Sequence, residues 1–249
     1  MKRLIISLAV LIASAATASG ASSPSTLRLK ALFIAPAAFD VECPPGTPAT
    51  TACIEQDATS RVRGLGRTTL HQVGRIDRSD SSCFHVAVQG TLTAGDEGTI
   101  SYAGATAPGS CVSPIPPATA TISYGITGGA GAFAGASGTG TLVAARFGVN
   151  VNYTWSGDLT APGHSFDTTA PVFAGVGNRT VIVRKRRAHR ARVTYKVTAT
   201  DDVDGAVRAD CHPASGSWFR IGRTAVTCTA TDKHANPATA RFRVTVRRG

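Results

Sequence analysis

A short basic run is the sequence feature best suited to binding chemistry. Six of the nine residues from position 184 to position 192 are positively charged: Arg184, Lys185, Arg186, Arg187, Arg190 and Arg192. Clustered arginines bind carboxylate or phosphate groups bidentately, and a bound polyanion releases counterions. The run has no aromatic residue on which a nucleic-acid base could stack. It therefore predicts a polyanion-binding patch for an anionic cell-envelope polymer or polysaccharide, rather than for a specific nucleic acid. The alternative is an exposed loop between two strands, without a ligand.

A group of aspartates offers the oxygen ligands that calcium prefers. Asp201, Asp202 and Asp204 lie close together in sequence, and Asp232 follows later. The segment lacks the loop length and the final glutamate of an EF-hand. Because Asp204-Gly205 is typical of a hairpin turn, turn structure is the favoured interpretation, with a weak extracellular calcium site as the alternative. We therefore assign no metal and no cofactor.

The histidines and serines indicate no catalytic centre. The six histidines are His71, His85, His164, His189, His212 and His234. None has a partner at the short spacing that places two imidazoles on one metal ion. An acid–base set would need the fold to bring His85 together with Asp57, Glu55 or Asp158. Ser137 narrowly misses a nucleophile-elbow pattern. We assign no catalytic residue and expect that the protein is not an enzyme.

The positive charge of the chain is concentrated in its last third. The net charge is +11, but residues 167–249 carry 16 Lys and Arg against 6 Asp and Glu, whereas residues 24–166 carry 8 against 9. A hydrophobic content of 43% with 16% charged residues suffices for packed cores and excludes a wholly disordered chain. The many glycines and prolines, with a single methionine, argue against a helical bundle.

Residues 1–18 are typical of a secretory signal peptide. Lys2 and Arg3 precede an apolar run, and Ala16-Thr17-Ala18 fits the small-residue cleavage pattern. The run is shorter than the roughly 20 residues that span a bilayer, and the sequence has no second one, so we expect no transmembrane span in the mature chain. The protein is therefore expected to be secreted or at the cell surface. Its many Arg, Ala and Gly residues with few Lys indicate a high-GC bacterial gene.

Six cysteines in an exported chain favour three disulfides over metal ligation. None belongs to a Cys-x-x-Cys pair, which argues against zinc and redox sites. Cys211 must pair with Cys228 if pairing stays within domains. For the other four, neighbouring pairs are favoured and the connectivity stays open: Cys43 with Cys53, and Cys83 with Cys111.

Alternating apolar and polar residues predict β-strands in the N-terminal part. The period-two pattern is clearest over residues 147–155 and recurs at 83–89 and 121–127, with turn signals between these segments. Many short strands with turn-rich connections leave no room for the helices of a parallel sheet. Residues 24–163 are therefore expected to form an antiparallel β-barrel or sandwich.

The C-terminal part is predicted to be a separate all-β domain at residues 167–249. A stretch bearing Gly and Pro precedes it, and the charge changes at the same place. Residues 192–199 and the last strand alternate apolar with basic or hydroxyl side chains, as strands with one buried face do. About 80 residues suffice for a small immunoglobulin-like sandwich.

Four segments of the C-terminal part carry a family pattern: 167–172 (DTTAPV), 199–205 (ATDDVDG), 211–222 (CHPASGSWFRIG) and 224–232 (TAVTCTATD). With these motifs, residues 167–247 resemble a hyalin repeat (HYR) domain. The resemblance implies an immunoglobulin-like sandwich in extracellular, multidomain proteins linked to cell adhesion, with no catalytic role. The chain departs from the family at His234-Ala235-Asn236, where a small residue, Gly and Asn are usual. We expect this change to affect a turn.

A glycine-rich segment at residues 126–142 is similar to the hairpin of secreted bacterial β-barrel domains akin to allene oxide cyclase and dirigent proteins. Closely spaced glycines allow a tight turn and a close approach of strands, with Phe133 as the expected packing anchor. This segment identifies no substrate.

Three functions are compatible with these patterns. The leading hypothesis is a secreted, non-enzymatic cell-envelope or adhesion protein whose C-terminal domain binds an anionic polymer or another surface protein. The second is an apolar ligand or a cyclase-like activity in the mouth of the N-terminal barrel. The third is a structural spacer whose basicity serves solubility. An open apolar cavity beside polar groups favours the second, and a filled barrel favours the other two.

Overall fold

A computed structural model describes residues 25–36, 41–113, 118–184 and 189–249. The predicted signal peptide lies outside the described residues. Within the described ranges every regular element is a β-strand, which confirms the all-β class. No helix in this part of the chain is long and apolar enough to cross a membrane.

Eight antiparallel strands form the N-terminal sheet: β1 (Ser25–Pro36), β2 (Thr51–Val62), β3 (Gly66–Asp77), β4 (His85–Ala94), β5 (Gly98–Thr106), β6 (Thr119–Gly131), β7 (Gly138–Phe147) and β8 (Asn150–Ala161). The order is β1-β8-β7-β6-β5-β4-β3-β2, so each strand from β2 to β8 pairs with its neighbour in sequence. The end strands β1 and β2 also contact each other. Gln56 of β2 donates from Nε2 to the Pro36 carbonyl of β1 at 3.3 Å. The sheet is therefore a nearly closed barrel.

The barrel buries the inward residues of each strand, as its alternation predicts. In β3, buried and exposed residues alternate from Gly66 to Arg75. The expected single strand over residues 147–155 is wrong at its start, because Gly148 turns the chain at φ +58°. Phe147 and Val149 lie at this turn and are 63% and 80% exposed. The inward alternation begins after it, with Tyr153 and the following odd-numbered residues.

Aromatic side chains fill the middle of the barrel. Trp155 lies against Tyr102 and Tyr124, with ring centroids 4.6 and 4.7 Å away. The Tyr124 ring occupies the space above Gly140 and Gly157, which face each other on β7 and β8. A β-carbon at either glycine would collide with the Tyr124 hydroxyl. These two glycines therefore make room for the aromatic core.

Phe133 anchors the glycine-rich segment, as expected. It is fully buried in the turn between β6 and β7, and its ring stacks on Phe166 with a centroid distance of 6.2 Å. His164 contacts both rings edge-on. This aromatic group closes the end of the barrel that faces the C-terminal part.

Nine strands, most of them short, form the C-terminal part: β9 (Val172–Ala174), β10 (Arg179–Val183), β11 (Arg190–Arg192), β12 (Thr198–Asp201), β13 (Gly205–Val207), β14 (Asp210–His212), β15 (Trp218–Arg220), β16 (Gly222–Thr231) and β17 (Pro237–Arg248). They make a four-stranded sheet, β10-β17-β16-β14, and two smaller sheets, β13-β12-β9 and β11-β15. The β10–β17 pair is parallel and the other pairs are antiparallel. This layering agrees with the predicted sandwich.

The core of the C-terminal part lies between these sheets. Phe242, Val244 and Val246 of β17 are buried, as the alternation predicts. The strand expected over residues 192–199 is interrupted, because β11 ends at Arg192 and β12 begins at Thr198. Val193 is nevertheless buried in the same core. The pattern correctly indicates the inward face there but not the hydrogen-bonded ladder.

All six cysteines lie at disulfide distance from the partners that the sequence favours: Cys43–Cys53, Cys83–Cys111 and Cys211–Cys228. The favoured pairing is therefore confirmed. Cys211 and Cys228 stand directly opposite each other on β14 and β16, and Cys228 is fully buried.

The two parts touch through the turn between β2 and β3. Arg63 donates from Nη2 to the Thr168 carbonyl at 2.8 Å and from Nε to Asn236 Oδ1 at 3.1 Å. The Gly64 amide donates to the His234 carbonyl at 2.8 Å. The division at residue 167 stays a prediction, but strand β8 ends six residues before it and β9 begins five residues after it.

Candidate functional site

The predicted basic run begins at the end of one strand and continues into another. Arg184 directly follows β10, and Arg190 and Arg192 belong to β11. All three are exposed. Lys185, Arg186 and Arg187 lie outside the described residues.

Strand pairing joins an aromatic residue to this run. Strand β11 pairs with β15, so Arg190 stands opposite Arg220 and Arg192 opposite Trp218. The Arg190 guanidinium carbon lies 4.8 Å from the centre of the Trp218 ring, which is cation–π distance. Trp218 is 59% exposed, so much of its ring stays open to a ligand. Arg192 donates from Nε to the Gly216 carbonyl at 2.8 Å, which restrains its guanidinium group.

The long strands of the other sheet end at the same place. The parallel pairing of β10 with β17 sets Ile182 opposite Arg247 and Val183 opposite Arg248. Strand β16 begins here, with Gly222 opposite Val246. The Ile221 amide, just before β16, donates to the His189 carbonyl at 3.1 Å, which ties β16 to the start of β11.

We call this surface the basic end, and it comprises Arg184, Arg190, Arg192, Arg220, Arg223, Arg247 and Arg248. All seven side chains are exposed. Within the described ranges, no ion pair with an acidic group involves any of these seven arginines. The positive charge of the basic end is therefore not neutralised by the described part of the protein.

The predicted aspartates gather at the opposite end of the sandwich, beside the barrel. Asp201, Asp204 and Asp232 come together with Asp167, which precedes β9. Asp202, expected among them, is instead exposed, and its Oδ1 accepts a hydrogen bond from Thr169 Oγ1 at 2.6 Å. Sequence reasoning missed Asp167 because it is distant in sequence; its place in the first family motif was the available signal.

One histidine lies beside these aspartates and contacts the barrel. His234 has Nε2 2.9 Å from Glu97 Oε1, and Nδ1 within 3.3 Å of Asp167 and Asp204 oxygens. Burial lowers the pKa of His234. The hydrogen bond to Glu97 and the charges of the neighbouring carboxylates outweigh this effect, so the pKa lies above its ordinary value.

The acid–base set considered around His85 is not assembled. His71 of β3 takes the position beside the carboxylate, with Nδ1 2.9 Å from Asp57 Oδ1. His85 lies on β4, opposite Asp77 and one strand further from Asp57. His71 is about half exposed, as befits a surface ion pair.

A polar network crosses the barrel interior next to the aromatic core. Gln72 donates from Nε2 to Gln56 Oε1 at 3.1 Å, and Tyr102 donates its hydroxyl to Gln72 Oε1 at 2.8 Å. The Tyr153 hydroxyl also donates to Gln56 Oε1. The two glutamines and two tyrosines therefore satisfy one another in the interior.

Beyond this network, a cavity of about 250 Å³ occupies the end of the barrel away from the C-terminal part. Its lining is mainly apolar, and Gln56 and Tyr153 contribute polar groups. The barrel is thus filled at its middle and at one end, and has room for a small molecule at the other.

Comparisons with known proteins identify the C-terminal part. No curated protein and no solved structure matches the chain. Residues 166–246 match the family model described as the HYR domain, which confirms the resemblance seen in the motifs. The resemblance of the N-terminal part to allene oxide cyclase-like barrels stays a prediction. The C-terminal region is therefore a HYR domain, and this domain suggests an adhesion-like, extracellular role.

Proposed function

We propose that this is a secreted, non-enzymatic adhesion protein whose HYR domain binds an acidic polysaccharide at its basic end. The observation that carries the proposal is the exposed Trp218 ring among arginines that no described acidic side chain neutralises. This combination fits a polymer that bears both sugar rings and carboxylates.

Different residues of the basic end would contact the carboxylates and the sugar rings of the polymer. Guanidinium groups bind carboxylates bidentately, and several exposed arginines together attract a polyanion over a longer range than one pair does. The flat face of an indole packs on the apolar face of a sugar ring, and aromatic anchors contribute strongly to binding surfaces. Arg190 and Trp218 are in contact, so one stretch of polymer reaches both.

The test is salt-dependent binding of the mature protein to a polyuronate, with inorganic polyphosphate and single-stranded DNA as comparison polymers. The Arg184→Ser, Arg190→Ser, Arg192→Ser triple variant should bind the polyuronate about 10-fold more weakly at low salt, with a shallower salt dependence. The matched control replaces three exposed barrel arginines by serine: Arg28, Arg61 and Arg75. Equal losses in both triple variants would show that net charge alone matters.

The aromatic contribution needs a separate variant. Trp218→Ala should weaken polyuronate binding about 10-fold and leave polyphosphate binding unchanged, because polyphosphate has no ring to stack on. Trp218→Phe should retain most of the affinity. Salt-insensitive binding, or stronger binding to DNA than to the polyuronate, would refute the proposed polysaccharide.

The barrel cavity supports a second candidate function, the binding of a small apolar molecule. A mainly apolar pocket with a few polar groups is the usual form of a ligand site. An apolar fluorescent probe should bind the mature protein, and Ala144→Phe, which places a ring in the cavity lining, should abolish binding. Ala103→Phe, on the exposed face of β5, is the matched control. Binding that survives Ala144→Phe would exclude this site.

A further inference from the structure

The end of the HYR domain that faces the barrel holds four carboxylates in one small volume. Asp167, Asp201, Asp204 and Asp232 each offer an oxygen, and these oxygens all lie within 4.8 Å of one another. Relative exposure is 7% for Asp167, 5% for Asp201 and 5% for Asp232. The Asp204 side chain is 7% exposed. The group is therefore largely removed from water.

The negative charge of this group is poorly compensated. The His234 ring lies beside two of the carboxylates, at 3.2 Å from Asp167 Oδ2 and 3.3 Å from Asp204 Oδ2. Within the described ranges no Lys or Arg side chain forms an ion pair with any of the four aspartates. Close, buried like charges repel strongly, and an opposite charge among them removes that cost.

One carboxylate oxygen has no hydrogen-bond partner among the described residues. Asp201 Oδ1 accepts hydrogen bonds from the Val203 and Asp204 amides at 2.9 and 3.0 Å, whereas the buried Asp201 Oδ2 accepts none. Buried carboxylate oxygens are normally hydrogen-bonded or bound to a metal ion. The unpaired Asp201 Oδ2 is therefore evidence for a bound ligand that does not depend on the proximity of the four aspartates.

The other carboxylates are held in a similar way. Asp167 Oδ1 accepts from the Thr169 amide and hydroxyl at 2.9 and 2.7 Å. Asp167 Oδ2 lies 3.2 Å from His234 Nδ1 but accepts no hydrogen bond from the described residues. Asp232 accepts from the Asn236 amide and side chain at 2.7 and 2.9 Å. Turns of the chain therefore fix the carboxylates in place before any ion arrives.

We infer that Asp167, Asp201, Asp204 and Asp232 form a binding site for one calcium ion. Carboxylate oxygens are ligands for hard cations, and calcium accepts six to eight oxygens in flexible geometry, whereas magnesium demands a near-ideal octahedron and keeps its waters. A zinc site is disfavoured because zinc prefers imidazole and thiolate ligands, whereas the four side chains of this group are all carboxylates. The site combines the chain between the two parts, the β12–β13 turn and the end of β16.

The ion would stiffen the contact between the barrel and the HYR domain. Asp167 lies in the chain between β8 and β9, next to Thr168, whose carbonyl accepts from Arg63 of the barrel at 2.8 Å. Asn236, which holds Asp232, also accepts from Arg63 at 3.1 Å. Calcium would neutralise the carboxylates that these contacts surround, and so favour the docked arrangement.

The test is isothermal titration of the EDTA-treated, full-length mature protein with calcium chloride, then with magnesium and zinc chloride. We expect one calcium site with a dissociation constant of about 0.1–1 mM, the range of extracellular calcium modules. Asp201→Asn keeps the acceptor for the Val203 and Asp204 amides and removes the charge, and it should weaken calcium binding at least about 10-fold. Asp202→Asn, one residue away but exposed, is the matched control and should bind as the wild type does.

Thermal unfolding gives a second measurement. The difference in melting temperature between Asp201→Asn and the wild type should have opposite signs in EDTA and in calcium. With 10 mM calcium the wild-type melting temperature should rise by about 3–10 °C. Asp201→Asn should melt above the wild type in EDTA, because one repelling charge is gone, and below it in calcium. No calcium binding up to 20 mM, undiminished binding by Asp201→Asn, or tighter binding of zinc than of calcium would overturn the inference.

Discussion

Ala235 has a backbone conformation that glycine adopts more easily. Replacing it with glycine tests whether the turn between β16 and β17 is strained. Its φ is +64°, and among the described residues it is the one non-glycine with a positive φ. The left-handed conformation costs an L-residue roughly 1–2 kcal/mol. A new glycine destabilises the folded state by about 0.4–1 kcal/mol through the greater freedom of the unfolded chain. Ala235→Gly should therefore stabilise the protein by about 0.5–1 kcal/mol.

Urea unfolding of the mature protein, followed by tryptophan fluorescence and circular dichroism, measures this difference. Ala225→Gly is the matched control, because Ala225 is exposed in the middle of β16 and has an ordinary extended backbone. That control should destabilise by about 0.5–1 kcal/mol. If Ala235→Gly destabilises by as much as the control does, the turn imposes no strain and the reasoning fails.

Three further predictions concern other parts of the fold. Gly66→Ala should destabilise the protein by more than about 1 kcal/mol and expose the junction to proteolysis, since Gly66 has φ +70° and a β-carbon there would collide with a backbone oxygen of the HYR domain. Replacing Cys211 and Cys228 by alanine should cost about 3 kcal/mol in urea unfolding, from the 17-residue separation that the disulfide closes; reduction of the wild type should cost more, because it also opens the two disulfides of the barrel. Burial raises the pKa of Tyr124 and of Tyr153 to about 12. The pKa of tyrosine in the unfolded chain is about 10, so the two buried, neutral tyrosines contribute to the free energy of unfolding fully below pH 10. This contribution is lost as the pH rises through about 12. Ultraviolet titration showing both tyrosines ionised near pH 10 in the folded protein would contradict the prediction.

The all-β fold class was predictable because the alternation of apolar and polar side chains indicates β-strands. Inward residues such as Val244 follow from period two alone. The antiparallel order of neighbouring strands follows from the short turns that connect them. The error at Phe147 has a local cause. Gly148 turns the chain at φ +58°, and this outweighs an alternation that continues across it by chance.

The candidate sites were only half predictable because strand pairing is not local. Arg190 is recognisable by its charged neighbours, but Trp218 becomes part of the same surface only through the pairing of β11 with β15. The aspartate group shows the same limit. Asp201 and Asp204 are close in sequence, whereas Asp167 joins them from the chain before β9.

The parallel pairing of β10 with β17 has a mechanical consequence. If a polymer holds the basic end while the barrel is pulled away, tension runs along both strands from one end of the sandwich to the other. The force then runs along the two strands, and the hydrogen bonds of five residue pairs, from Arg179–Val244 to Val183–Arg248, are all loaded at once. Such pairs share the load and must shear together, whereas hydrogen bonds pulled from one end of a hairpin open one after another. Under such a load, the parallel pair would resist traction along the long axis of the HYR domain.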